Sequence, residues 1–227
     1  MTAGWPSASS CPRRRWIRVP DALADADVAG LASAALTAWN ALVQICHVEA
    51  GDTVLCLGTG SVSLAALKIA KARGARVAIT SSQAAKLATA RALGADIIVN
   101  YRTSPDWAAE VIAKTDGKGA DIVIDTGGVD TLGQSIAAAA ANARIIVVGV
   151  SPGEGPAIPD YLSLIVKNVT IRGIANGSRA MFVNLLDAMV ADGMTTVVDR
   201  TFAFDDAPDA VRYFAAAGHL GKVMIAF

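Results

Sequence analysis

Between Asp27 and about His47 the apolar residues Val28, Leu31, Ala35, Leu36, Trp39, Leu42 and Val43 recur at helical spacing, and Gly51-Asp52 ends the segment. The spacing predicts one helix with a break near Ser33. After residue 52 the period changes. Short β-rich runs over 53–57, 76–80, 96–99, 121–125 and 144–149 alternate with helical patterns over 62–73, 83–93, 105–114 and 131–140. Strands that alternate with helices of about 10 to 15 residues form βαβ units. Right-handed crossovers then gather the strands into one parallel sheet with helices on both faces. The expected fold class is therefore α/β, a doubly wound parallel sheet of the Rossmann type. Ser151-Pro152-Gly153-Glu154-Gly155-Pro156 punctuates the chain as a loop. Beyond it the pattern predicts a short helix over 161–166, a strand over 169–174, helices over 179–192 and 208–217, and a final strand over 222–226. These last strands are expected to complete the same sheet. No repeat or long linker divides the chain, so a single domain is expected over 19–227.

The first β run leads straight into Gly58-x-Gly60-x-x-Ser63 and then into a helix. Glycines serve there because the turn is tight and the chain must approach a pyrophosphate with no Cβ in the way. The helix N-terminus is then left to donate its free N–H groups to the anion. Strand, fingerprint, helix and strand in this order supply the context that such a motif requires. A site for NAD(H) places an acidic residue about 20 residues further on, at the end of the second strand, to bind the ribose hydroxyls. Here that strand ends Ile79-Thr80-Ser81-Ser82-Gln83, and no Asp or Glu occurs between Asp52 and Asp96. The same interval carries Lys68, Lys71, Arg73, Arg76, Lys86 and Arg91. A 2′-phosphate would meet hydroxyls and cations instead of a repelling carboxylate, so NADP(H) is expected in preference to NAD(H). Most of these cations solvate helix faces. Lys86, one turn into the helix after Ser81 and Ser82, is the candidate for the phosphate.

Charge and composition narrow the partners. Lys plus Arg and Asp plus Glu are both 20, so no net field draws the molecule to nucleic acid or an anionic membrane. A hydrophobic content of 53% against 18% charged suits a folded chain with a generous core. No uncharged apolar run reaches the ~18 residues that a membrane-spanning helix demands. Cys11, Cys46 and Cys56 are an odd, widely spaced set without a C-x-x-C pair, which argues against a disulfide framework and a zinc knuckle and for a reducing cytoplasm. Residues 1–18 hold Pro6, Ser7, Ser9, Ser10, Pro12 and Arg13-Arg14-Arg15 without apolar periodicity, in the wrong order for a signal peptide. They are read as a disordered or unrelated N-terminal segment.

Several stretches resemble the medium-chain dehydrogenase/reductase superfamily, in its zinc-type alcohol dehydrogenase-like and quinone oxidoreductase-like branch. They begin near Val19-Pro20-Asp21 and include Ala34-Ala35-Leu36-Thr37-Ala38-Trp39-Asn40-Ala41-Leu42, Gly51-Asp52-Thr53-Val54-Leu55 and Gly58-Thr59-Gly60. Further matches are Lys86-Leu87, Leu93-Gly94-Ala95-Asp96, Asn100-Tyr101-Arg102, Gly119-Ala120-Asp121, Asp125-Thr126-Gly127-Gly128 and Gly218-His219-Leu220-Gly221-Lys222-Val223. The resemblance implies NADP(H) binding through Gly58, Thr59, Gly60, Ser61 and Val62, with Ser81, Lys86 and Tyr101 at the adenosine end. It places Thr126, Gly127, Gly149, Val150 and Ser151 over the ribose and nicotinamide, and turns the helix of Thr37 toward the nicotinamide. It also implies a homodimer paired through the strand over 169–174, bounded by Val169 and Ile174. Two departures stand out. Ser61 replaces a glycine usual in the loop. The catalytic domain of roughly a hundred residues or more that family members place before the matching region, with any zinc ligands and most of the substrate pocket, is not visible here. If its face is left bare, apolar residues near Leu31, Leu36, Trp39 and Leu42 are expected to be partly exposed, inviting self-association or a partner.

The implied activity is hydride transfer between NADP(H) and an alcohol, aldehyde, ketone or quinone/enone, with autonomous turnover by this chain not expected. A noncatalytic nucleotide-binding or dimerisation module is the alternative. Other chemistries fit less well. Cys46 and His47 are neighbours on a predicted helix and point apart, and His219 is distant, so no zinc site is expected. Asp121 and Asp125, which bracket the fourth strand, read as loop or cap carboxylates. Short-chain dehydrogenases need Tyr-x-x-x-Lys, but Tyr101, Tyr161 and Tyr213 are followed at that spacing by Pro105, Ile165 and Ala217. An S-adenosylmethionine-dependent methyltransferase shares the glycine loop but wants an acidic residue where Ser81-Ser82 stands, and is the weak runner-up.

Overall fold

The computed structural model describes residues 16–149 and 161–227. The expectations for Cys11, the three arginines at 13–15, Val150, Ser151 and the loop over 151–156 lie outside the described residues. Six strands, β1 (Thr53–Cys56), β2 (Arg76–Ser81), β3 (Ile97–Asn100), β4 (Ala120–Asp125), β5 (Ala139–Val147) and β6 (Thr170–Gly173), form one sheet in the order β3-β2-β1-β4-β5-β6. Every neighbouring pair in it is parallel. The doubly wound sheet expected from the alternating pattern is thus present.

Successive side chains of a strand point to opposite faces, and both faces of this sheet are covered. Val54, Cys56, Val77, Ile79, Ile122 and Ile124 pack with α3 (Ser61–Ala72), α4 (Ala84–Ala92), the leading helix and α8 (Arg179–Asp192). Leu55, Leu57, Ala78, Val123 and Ile145 pack with α5 (Trp107–Lys114) and α6 (Val129–Ala138) on the other side. This two-sided burial explains why β1 is apolar at consecutive positions and shows no polar alternation.

The leading helix runs as α1 (Asp25–Ala29), a widened turn over Leu31–Ala35, α2 (Leu36–Trp39) and a second widened turn over Asn40–Ile45. Its break falls at Gly30 instead of Ser33. A Cβ at Gly30 would lie 3.3 Å from the side chains of Lys222 and Met224, so close packing by the C-terminal strand sets the position.

One strand departs from expectation. The segment over 222–226 forms β8 (Lys222–Ala226), but it pairs in parallel with β7 (Val198–Ala203) in a separate two-stranded sheet, and the main sheet ends at β6. Gly221 explains this, because its N–H donates to the Thr59 carbonyl at 3.1 Å beside the end of β1. From there the vacant place beyond β6 is four strand spacings away, about 19 Å at the usual interstrand distance. The helix α9 (Ala207–Ala215) joins β7 to β8. A short helix α7 (Tyr161–Val166) precedes β6. Among the described residues no helix is long and apolar enough to cross a membrane.

Candidate functional site

The order of the main sheet reverses between β1 and β4, whose neighbours lie on opposite sides, and open α/β sheets bind ligands outside the carboxyl ends of the strands at such a point. The glycine loop leaves β1 there. Gly58 has φ +73°, a left-handed conformation that favours glycine. Gly60 has φ −76° and ψ 176°, open to any residue, and a Cβ added to it would meet no protein atom within 4 Å. Gly60 therefore leaves open space in front of the first turn of α3, and glycine is also a favoured residue at a helix N-cap. Gly60 is also the N-cap of the 12-residue α3 and provides no side-chain hydrogen bond, so the first-turn N–H groups have no side-chain cap and face the groove with the positive end of the helix dipole.

Hydroxyls hold the loop in shape. The Gly58 N–H donates to Thr80 Oγ1 at 3.1 Å, while Ser63 Oγ at 2.6 Å and Thr126 Oγ1 at 2.8 Å both donate to the Leu57 carbonyl. Thr126 thus ties the end of β4 to the end of β1. Ser61 spends its hydroxyl on the Gly221 carbonyl at 2.7 Å, a bond that a glycine could not make. Thr59 is buried, with its carbonyl bound by Gly221, and Val62 is half-buried in the first turn of α3.

At the end of β2, Ser81 is buried, Ser82 is half-buried, and no carboxylate follows. The Tyr101 N–H donates to the Ser81 carbonyl at 3.2 Å, which sets the exposed Tyr101 beside that strand end. Lys86 Nζ, in the first turn of α4, donates to the Ala217 carbonyl at 3.2 Å. The adenosine-end residues singled out in the sequence are thus gathered at one strand end.

Across the switch point, Asp125 is fully buried. Its Oδ1 accepts from the Gly127 and Gly128 N–H groups and from Thr131 Oγ1 at 2.6 Å, and its Oδ2 accepts from Ser135 Oγ at 2.7 Å. It organises the turn into α6, as a cap carboxylate would. Asp121 likewise accepts from the Thr53 N–H at 2.8 Å. A Cβ at Gly149 would run into the Thr126 carbonyl oxygen, so β5 and β4 close on each other beside the groove.

Thr37 is buried and donates to the carbonyls of Ser33 at 2.8 Å and Ala175 at 3.3 Å, so its hydroxyl serves helix packing. The expectation that Leu31, Leu36, Trp39 and Leu42 would be partly exposed is corrected, since they are only 2%, 5%, 3% and 0% exposed. Phe182, Leu185, Leu186 and Met189 of α8 cover them. The approach is close enough that a Cβ at Gly177 would fall 2.7 Å from Leu36 Cδ1.

No three His, Cys, Asp or Glu side chains converge for a metal among the described residues. Burial pushes the Cys46 thiol up to about 11, against the opposing pull of Arg144, and the Cys56 thiol up to about 12. The described residues offer no three-ligand set for zinc.

Sequence reading missed the segment over 217–221, which approaches the glycine loop at one end and Lys86 at the other. Its signal was the Gly218 and Gly221 pair, the latter at φ +70°.

Sheet order, an unobstructed glycine loop and a helix without a side-chain cap at the switch point together define a doubly wound, Rossmann-type nucleotide-binding domain. Comparison with known proteins narrows the class. The sequence model of the family described as zinc-binding dehydrogenase matches residues 61–191, more than half of the chain. The chain belongs to this family, within the medium-chain dehydrogenase/reductase superfamily. It is 39% identical over 219 residues to a zinc-type alcohol dehydrogenase-like protein of Schizosaccharomyces pombe, covering 94% of this chain and 63% of that protein. An NAD-dependent alcohol dehydrogenase structure superposes with TM-score 0.85 at 34% identity, over 93% of this chain and 61% of the other. A mycobacterial protein solved with NADPH superposes with TM-score 0.80 at 27% identity, over 92% and 67%. The chain therefore spans about three-fifths of the first two of these relatives.

Proposed function

We propose that the chain binds NADP(H) in preference to NAD(H) and serves as the cofactor half of an oxidoreductase acting on an alcohol, aldehyde, ketone or quinone/enone. The observation that carries the cofactor preference is the end of β2, where Ser81 and Ser82 stand with Lys86 one turn beyond and no carboxylate between Asp52 and Asp96. A 2′-phosphate there gains charge-assisted hydrogen bonds and meets no like charge. The Lys86 ammonium rests against a neutral carbonyl, which a phosphate dianion outcompetes. Thr59, Ser61 and Val62 present the backbone of the loop and first turn of α3 to the pyrophosphate. Tyr101 flanks the adenosine, and Thr126, Gly127 and Gly149 form the floor toward the nicotinamide, with Val150 and Ser151 assigned to the same end.

When bound, the dinucleotide supplies or accepts the hydride. The chain's own part is to bind and orient it. Hydride transfer also needs a substrate held in near-attack geometry with water excluded, and none of the side chains described here positions one. Turnover by this chain alone is not expected. Strand β6, exposed at all four residues and at the edge of the sheet, supports a homodimer through that strand, and buried, protonated Cys46 and Cys56 suit a reducing cytoplasm.

Calorimetric titration of the chain with NADPH and with NADH tests the reading. Tighter binding of NADPH, lost in Lys86→Ala, is expected. A preference for NADH would overturn the phosphate site. Binding of neither would leave the fold without its cofactor role, and turnover of alcohols, aldehydes or quinones would show that the chain holds a substrate after all.

A further inference from the structure

A cavity of about 40 Å³ lies beside α3, between the leading helix, the end of α8 and the segment over 194–197. It extends along α3 from Ser61 to Ile69, about 12 Å at 1.5 Å per residue, so most of it is remote from the free N–H groups at the helix start. Its walls are mostly apolar, with Leu31, Ala34, Leu64, Ala65, Met189 and Val197 among them. Protein interiors are otherwise close-packed, and the small side chains of Ala34 and Ala65 leave this space open.

Two charged residues line the cavity, and both are cations. Lys68 is matched. Its Nζ donates to the Thr195 carbonyl at 2.7 Å and to Thr195 Oγ1 at 2.8 Å, and the Asp27 carboxylate acts on it. Lys222 is not matched. It is half-buried, with its stem so close to the leading helix that a Cβ at Gly30 would lie 3.3 Å from its Cε. No hydrogen bond or ion pair engages its ammonium among the described residues. Burial pushes that ammonium below its ordinary value, and no carboxylate opposes the shift. Buried charge is normally paired, so a half-buried cation on the wall of an apolar cavity is complementary to an anion that carries an apolar tail.

The volume sets the length of the tail. A water needs about 10–15 Å³ of such space, so the cavity takes about three groups of water or methylene size. We propose that this cavity binds a short-chain aliphatic carboxylate, with its tail between the leading helix and α3 and its carboxylate on the Lys222 ammonium. The site is separate from the glycine loop and does not depend on the dinucleotide reading. Acetate has the charge but leaves the cavity empty, and butanol has the tail but leaves Lys222 unmatched.

Calorimetric titration of the chain with butyrate, acetate and butanol tests the site, together with the variants Lys222→Met and Ala65→Leu and a thermal melt of each. Butyrate is expected to bind at least about tenfold more tightly than either of the other two. Lys222→Met keeps the stem and removes the charge, and is expected to weaken butyrate about tenfold, the share of one hydrogen bond to a charged group. Ala65→Leu keeps the charge and fills the cavity, and is expected to weaken butyrate by as much. No binding of butyrate overturns the proposal, as does undiminished binding in Lys222→Met or in Ala65→Leu. Equal binding of acetate and butyrate also overturns it, since a surface ion pair would suffice. If one variant fails to fold, the other variant and the acetate comparison still decide.

Discussion

Adding one methyl group at Gly60 separates what the loop does for the fold from what it does for a ligand. With φ −76° and ψ 176° the backbone accepts an alanine, and no protein atom lies within 4 Å of the new Cβ. Gly60→Ala is therefore expected to change stability by less than about 1 kcal/mol, the gain from a stiffer unfolded chain being offset by the poorer fit of alanine at a helix N-cap. The same methyl projects into the groove in front of the first turn of α3, where the pyrophosphate must approach. Loss of one charge-assisted hydrogen bond costs about 1.5–3 kcal/mol, a 10- to 150-fold rise in Kd. Gly58→Ala discriminates less well, because its φ of +73° strains the folded state too. NADPH titration of Gly60→Ala beside its thermal melt gives both readouts. Undiminished binding would show that the loop is not the phosphate cradle, and a loss of stability well beyond about 1 kcal/mol, more than the N-cap preference explains, would show that the space at Gly60 is not open.

Gly149→Ala is expected to do the reverse. Its Cβ runs into the Thr126 carbonyl, and relieving that overlap by backbone movement costs about 3 kcal/mol, read as a lower urea midpoint; an unshifted midpoint would mean that β4 and β5 are not so tightly closed. Burial tends to raise the Asp96 carboxyl, but hydrogen bonds from the Val77 N–H and Lys71 outweigh it and hold the group below its ordinary value. The unfolded carboxyl titrates at the higher, ordinary value of about 3.9, so its stabilisation is complete above that pH and is lost as pH falls through the folded value. Asp96→Asn should therefore flatten the decline in stability between pH 5 and the acid limit, and equal slopes in the two proteins would defeat this account. Ile171→Lys places a charge on the exposed edge strand β6 and is expected to convert a dimer into a monomer in sedimentation, the usual effect of a charged edge. A chain that is monomeric before the substitution would rule out pairing through this edge.

The alternation of β runs and helical patterns was enough to read the doubly wound sheet, because strand and helix periods are local and βαβ handedness leaves few ways to assemble them. The glycine loop was legible for the same reason: Gly58, Gly60 and Ser63 belong to one strand-turn-helix, although Thr80, Thr126 and Gly221, which also bind it, lie far along the chain. The lack of a carboxylate near Ser81 and Ser82 was equally plain, since it depends on residue identity alone.

What the sequence did not disclose depended on segments far apart in the chain. Leu31, Leu36, Trp39 and Leu42 were expected to be partly bare, but α8, some 150 residues away, covers them. The final strand has the period of any strand, and nothing in its own residues tells whether it joins β6 or pairs with β7. Gly221, bound to Thr59, decides that by starting the strand beside β1. A sequence states what each residue prefers over a few neighbours, which settles the elements and the loop. Which distant segment comes to lie against another is settled only when the whole chain buries its apolar surface and pairs its backbone together.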